Sequence, residues 1–194
     1  MGMRILVIQG HPDPAGGHFC HALAHAYAEG ASAAGQEVRR LSVAGLALPV
    51  LRSEAEWQGP APPDVAASQR DIVWAEHLVF VYPLWLGGMP ALLKAFLEQV
   101  ARPGFAFDAG PNRSPWQKKL AGRSARIVVT MGMPALVYRW YFGAHSLKSL
   151  ERNILGFIGI EPIRESLVGM VGAADPARRT VWLAKLRRLG AKGR

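Results

Sequence analysis

Residues 77–100 read HLVFVYPLWLGGMPALLKAFLEQV, and the change of period inside this stretch decides the fold. His77 to Tyr82 form a short apolar, β-rich run that ends at Pro83, a residue unable to continue a central ladder. Such a run predicts a strand buried on both faces. From Pro90 the period becomes helical: Leu93, Phe96, Leu97 and Val100 share one stripe, and Lys94 and Glu98 stand four apart on the polar side. Pro90 suits the first helical position, where its missing N–H leaves no vacancy. The segment between them, Leu84-Trp85-Leu86-Gly87-Gly88-Met89, is too apolar for an ordinary surface loop and too rich in glycine for core. A turn with an indole, two glycines and helix-start amides behind it can lie against a flat, partly polar ring. The same residues could instead seal the end of the sheet or enter a homodimer contact.

Working outward to the N-terminus, Arg4 to Ile8 is a second buried-type strand. It leads into Gln9-Gly10-His11-Pro12-Asp13-Pro14-Ala15-Gly16-Gly17 and then a helix with Phe19, Leu23, Tyr27 and Ala31 on a four-residue repeat. Strand, glycine-rich turn and helix form an anion site in principle, because the first helical amides are unpaired and the peptide dipole favours negative charge there. The turn has neither the Lys-Ser/Thr pair of a P-loop nor the spacing of a dinucleotide fingerprint. His11 and His18 could each donate a hydrogen bond to a phosphate, while Asp13, between two prolines, is expected to point outward. His18, His21 and His25 share helical spacing and invite a metal reading. The neighbouring anion loop accounts for His18, however, and solvent-facing positions account for His21 and His25, so no metal is expected. Cys20 reads as a small packing residue that could touch a cofactor.

Towards the C-terminus the alternation continues. A strand over Glu37–Leu41, ending near Ser42, precedes a proline-interrupted loop from Ala44 to Asp64 and a helix over Val65–Glu76. Ala101 to Phe107 predicts a turn and an exposed or pocket-lining aromatic segment, continued by an irregular stretch with Pro111, Asn112, Ser114 and Pro115. Ala125 to Thr130 is another strand, followed by Met131-Gly132-Met133-Pro134, the third loop placed at a strand end. In an open parallel sheet such loops gather on one edge, where ligands bind. Tyr138 could hydrogen-bond a reacting oxygen or ring heteroatom, and His145 could stabilise or protonate charge formed there; either could also simply pack or face solvent. A helix over Ser146–Phe157, a fifth strand within Glu161–Val171 and a basic helix from Asp175-Pro176, docked by Trp182, Leu186 and Leu189, complete the pattern. The expectation is one α/β domain over 1–194, a flavodoxin-like three-layer sandwich with a five-stranded parallel sheet of order 2-1-3-4-5.

Composition limits the function classes. Half of the 194 residues are hydrophobic and 19% charged, which is globular rather than disordered. No apolar run approaches the roughly 18 residues of a membrane span, and Met1-Gly2-Met3-Arg4 enters a strand with no secretion signal. Cys20 is the sole cysteine, which excludes an internal disulfide and makes a reducing cytoplasm the simplest location. The +9 charge is compatible with polyanions, phosphorylated cofactors included. No nucleic-acid motif accompanies it, so nucleic acid is not the expected partner and the late cations read as a solvated helix and tail.

The chain resembles the flavin-dependent NAD(P)H:quinone oxidoreductase family of flavodoxin-like fold. GHPDPAGGHFCHAL is similar to its phosphate loop and first helix, PLWLGGMPALLKAFLEQV with GFAF to its flavin-ring loop and next helix, VVTMGMPALVY to its third cofactor loop, and FIGIEPIRESLVG to its later strand. The resemblance runs from Met3 to Gly172. It implies that His11, His18, Phe19 and Cys20 surround the flavin phosphate or ribityl chain. It further implies that Pro83, Leu84, Trp85, Leu86 and Gly87 hold the ring with Thr130, Gly132 and Met133 nearby, and that Tyr138 occupies a family tyrosine position that both touches cofactor and, with His145, assists catalysis. The implied chemistry is hydride transfer from NAD(P)H to FMN, with FAD as the close alternative, followed by reduction of a quinone or similar aromatic acceptor in a ping-pong sequence. A homodimer is implied too. Reduction of nitro or azo compounds, or a flavin-binding regulatory subunit of a transport system, are the alternatives.

Overall fold

The computed structural model describes residues 2–108, 116–173 and 175–194; Pro111, Asn112, Ser114 and Pro115 lie outside them. Among the described residues there are seven strands: β1 (Arg4–Gln9), β2 (Glu37–Ser42), β3 (His77–Pro83), β4 (Phe107–Asp108), β5 (Gln117–Lys118), β6 (Ser124–Thr130) and β7 (Ile163–Val168). Five form a parallel sheet of order β2-β1-β3-β6-β7, whereas β4 and β5 pair antiparallel in a separate two-stranded ribbon. The expected order 2-1-3-4-5 is therefore corrected. The excursion after the third strand contributes the fourth and fifth strands to its own ribbon, so the sixth and seventh fill the last two places in the sheet. Two-residue strands carry too few side chains for an alternation to show in sequence.

The helices are α1 (Phe19–Ala33), α2 (Glu54–Gln58), α3 (Pro63–Trp74), α4 (Ala91–Val100), α5 (Ala135–Trp140), α6 (His145–Lys148) and α7 (Pro176–Ala191). The loop expected from Ala44 to Asp64 contains α2, whose cap Ser53 accepts the Glu56 N–H at 3.2 Å. The single helix expected over Ser146–Phe157 divides into α6 and a wider π-type turn over Ser149–Leu155. Pro90 sits one place earlier than expected, as the cap of α4. No helix among the described residues is long and apolar enough to cross a membrane.

All seven residues of β3 are buried; the apolar run predicts the first six, whereas Pro83, expected to end the strand, extends it by pairing with Thr130. Strand alternation divides the core between two faces. Leu6, Ile8, Leu78, Phe80, Tyr82, Ile127 and Val129 pack under α3, α4 and the α6 region. Ile5, Val7, Val79, Val81 and Val128 pack under α1 and α7. On that second face α1 and α7 approach at two glycines: a Cβ on Gly30 would lie 2.0 Å from the Arg187 carbonyl oxygen, and one on Gly190 2.0 Å from that of Tyr27. Phe107, expected at a surface or pocket, is buried and stacked on Trp116 with ring centroids 4.2 Å apart.

Candidate functional site

The three strand-end turns meet because their strands are neighbours. Gly10 donates to the Val81 carbonyl at 2.8 Å, joining the turn after β1 to β3. Pro83 pairs with Thr130, and Leu84 donates to the Thr130 carbonyl at 2.7 Å, joining the turn after β3 to that after β6. The third turn is fastened in its own right: the Met131 and Met133 carbonyls each accept, at 3.1 Å, the N–H of Val171 and Met170.

In the first turn, Asp13 folds the chain back. Its carboxylate accepts the Ala15 N–H at 2.9 Å and holds His18 Nε2 at 2.7 Å; the bond to His18, followed by that from Ala15, holds its pKa below the usual carboxylate range. His11 is buried, and its Nδ1 accepts the Asp13 N–H at 3.1 Å, so in the neutral ring the proton sits on Nε2. Burial, then the neighbouring His18 and His21 rings, lower the His11 pKa. Its ring stacks on His18 at 4.0 Å and meets Trp85 edge-on at 5.6 Å. His18 caps α1 without a side-chain bond to the helix amides, and no acidic residue occupies the first turn, so the first amides of a fifteen-residue helix face a loop whose carboxylate, Asp13, is held by His18. Cys20 is buried between Gln9 and Thr130, and burial pushes its thiol up to about 12, which makes it a packing group and not a nucleophile.

The second turn has a defined geometry. Trp85 and Gly88 exchange both backbone hydrogen bonds at 2.9 Å, and the two residues between them are left-handed, Leu86 at φ 45° and Gly87 at φ 77°. This is the I′ hairpin turn, which favours Asn-Gly. Leu86 is fully exposed on it and Trp85 half-exposed. A left-handed non-glycine residue costs about 1–2 kcal/mol. Leu86→Asn is accordingly expected to raise stability by about 1 kcal/mol in urea unfolding, since Asn tolerates this conformation and no packing is lost; an unchanged midpoint would show the strain to be compensated.

Tyr138 and His145 are treated differently by the fold. Tyr138 is buried, and its hydroxyl accepts the Leu147 N–H at 3.3 Å and lies 3.2 Å from Ser146 Oγ, bracing the start of α6. His145 is exposed, its ring lying against Gly143. Of the other predicted residues, Pro83 and Thr130 are buried, Phe19, Leu84 and Met133 are half-buried, and Gly87 and Gly132 are exposed. Sequence reasoning missed Gln9, whose side-chain oxygen accepts the His11 N–H at 3.0 Å and the Cys20 thiol at 3.6 Å, organising the first turn. The signal was available: a polar residue closing an otherwise apolar buried strand. His25, considered as a metal ligand, pairs with Glu29 at 3.3 Å.

A family model described by its flavodoxin-like fold matches residues 3–189. The chain belongs to that flavodoxin-like family. NAD(P)H dehydrogenase [quinone] 1 of Rattus norvegicus is 30% identical over 138 residues, covering 68% of this chain and 48% of that protein. The glutathione-regulated potassium-efflux system ancillary protein KefG of Escherichia coli is 38% identical over 77 residues, 40% of this chain and 39% of that one. The chain thus spans about half the length, or less, of these curated relatives. Among solved structures, an FMN-dependent NADH-azoreductase of Bacillus anthracis in complex with FMN superposes with a TM-score of 0.74 at 17% identity, covering 98% of both chains.

Proposed function

We propose that this chain binds a flavin, FMN ahead of FAD, and passes reducing equivalents from NAD(P)H to a quinone or similar aromatic acceptor. The observation that carries this reading is the convergence of three strand-end turns, with the half-exposed Trp85 indole edge-on to His11 beside the free end of α1. When bound, the flavin supplies the hydride chemistry; the protein positions it. The first amides of α1, at Phe19 and Cys20, with His11 and His18, would hold the phosphate end. Pro83, Leu84, Trp85, Leu86 and Gly87 would carry the ring, bordered by Thr130, Gly132 and Met133. Tyr138, with His145, would oppose negative charge formed during transfer; turnover unchanged in Tyr138→Phe would remove that role from Tyr138. Donor and acceptor using one cavity in turn would give ping-pong kinetics.

Similarity to the rat enzyme supports the quinone, and the Bacillus anthracis structure supports FMN and leaves azo compounds as acceptors to compare. Similarity to KefG favours a second reading, a flavin-loaded regulatory subunit that turns over slowly without its transport partner. Exposed Trp85, Leu86, Leu136, Trp140 and Tyr141 support a homodimer; a monomer by light scattering at working concentration would reject it.

The deciding experiment is purification without added cofactor, identification of any released flavin, and anaerobic reduction with each nicotinamide. Retained FMN bleached by NADH or NADPH is expected, and folded protein that neither keeps nor takes up FMN or FAD would overturn the proposal. Trp85→Ala should weaken flavin binding about tenfold, with Trp85→Phe keeping most of it; flavin fluorescence titration checks both.

A further inference from the structure

Residues 176–194 carry seven cations and no carboxylate, and the structure sorts them into two groups. Arg179 lies over the Phe19 ring at 5.5 Å and donates to the Val171 carbonyl at 3.3 Å, and Arg187 pairs with Glu29 at 3.1 Å, so both are held against the body of the protein. Arg178, Lys185, Arg188 and Lys192 are exposed and, among the described residues, meet no carboxylate. Asp175, the nearest acid in the chain, is the helix cap and accepts the Arg178 N–H at 2.6 Å. Arg178, Val181, Lys185, Arg188 and Lys192 follow one another at alternating steps of three and four residues, which sets them on one side of α7, clear of its buried Leu186 and Gly190. Lys185, Arg188 and Lys192 are like charges at these spacings and repel one another, a cost that a negative surface would remove.

We propose that this side of α7 docks the protein on an anionic lipid bilayer. Charge complementarity gives the class of partner: each Lys or Arg close to a negatively charged membrane surface adds attraction, and α7 offers four that no carboxylate opposes. Val181 decides between a bilayer and a nucleic acid. It is 64% exposed among the cations, with Trp182 half-buried beside it and the Lys185 ammonium 4.3 Å from the centre of that indole. An apolar side chain in this position gains by entering the boundary between headgroups and acyl chains, where long basic side chains reach back to the headgroups. Against a row of phosphodiesters it would be covered without an apolar partner. The proposal does not rest on the flavin reading, because no residue of α7 is assigned to the cofactor.

The test is flotation of flavin-free protein with vesicles of phosphatidylcholine alone and of phosphatidylcholine mixed with phosphatidylglycerol, the latter repeated with duplex DNA as competitor. One variant combines Lys185→Gln, Arg188→Gln and Lys192→Gln. Its control combines Arg52→Gln, Lys118→Gln and Arg152→Gln, which remove the same charge elsewhere. All six positions are exposed, so fold is retained and circular dichroism checks it. Association with the anionic vesicles alone is expected, weakened about a hundredfold by the α7 changes, at about fivefold per cation, and far less by the control. Val181→Ser should weaken it about threefold. No association with anionic vesicles, or equal losses in the two triple variants, would overturn the proposal. Val181→Ser without effect, or duplex DNA that displaces the protein from the vesicles, would overturn the choice of lipid. The readout needs no flavin, so its result stands whether or not the flavin reading holds.

Discussion

Gly190→Ala is expected to destabilise the protein by about 3 kcal/mol or to prevent folding, although alanine is the better helix former by about 1 kcal/mol. Gly190 lies in α7 against α1, and an added Cβ would stand 2.0 Å from the Tyr27 carbonyl oxygen, 2.9 Å from its carbon and 3.0 Å from the Ala31 nitrogen. All three are backbone atoms of a helix, so no side chain can swing aside and the helices must separate. Gly30 makes the reciprocal approach to Arg187, and Gly30→Ala should behave alike. Separation would also loosen the Arg187–Glu29 ion pair and the hydrogen bond from the Tyr27 hydroxyl to the Arg194 carbonyl. Gly45→Ala is the control, since nothing lies within 4 Å of its Cβ position; it should fall within about 0.5 kcal/mol of the parent. Urea midpoints compare the three, and equal midpoints for Gly190→Ala and the control would refute the close-contact argument.

Stability is also expected to fall by about 3 kcal/mol as pH drops from 6.5 to about 4, through His77. His77 begins β3, 2% exposed; Nδ1 lies 2.7 Å from Ser124 Oγ and Nε2 has no partner. Burial first, then the Arg126 and Arg164 guanidinium groups, lower its pKa to about 4 from the ordinary 6.5. Between those values the unfolded chain binds the proton and the folded one does not. The stabilisation is therefore fully present above pH 6.5, is lost progressively below it, and reaches its limit near pH 4. His11 and His21, also lowered chiefly by burial, act in the same direction. Denaturant midpoints from pH 4.5 to 7.5 for the parent and His77→Gln isolate the His77 part. The variant should show a distinctly shallower dependence, and parallel curves would sink the assignment.

Much of the geometry of the candidate site, its strand-end turns and helix start, could be read from the residues because those parts are local. Trp85 with two following glycines marks a turn, and the glycine-rich stretch before His18 marks the turn into a helix start; neither needs a distant partner to be recognised. Gln9 was passed over because its partners, His11 and Cys20, depend on how the turn closes. Tyr138 was assigned from its place after the third loop, but which way its hydroxyl points depends on Ser146 and Leu147, on the next helix. Phe107 looked like a surface aromatic until Trp116, beyond the excursion, covered it.

By itself the sequence determined the alternation of buried strands and helices, the places where each strand breaks, and the chemistry available at those breaks, because periodicity and proline and glycine placement act within a few residues. Only the tertiary structure decided that β4 and β5 leave the main sheet, that Gly30 and Gly190 let two helices touch, and that Arg187 meets Glu29 across that contact. Those outcomes depend on contacts between residues far apart in the chain, which no local pattern encodes.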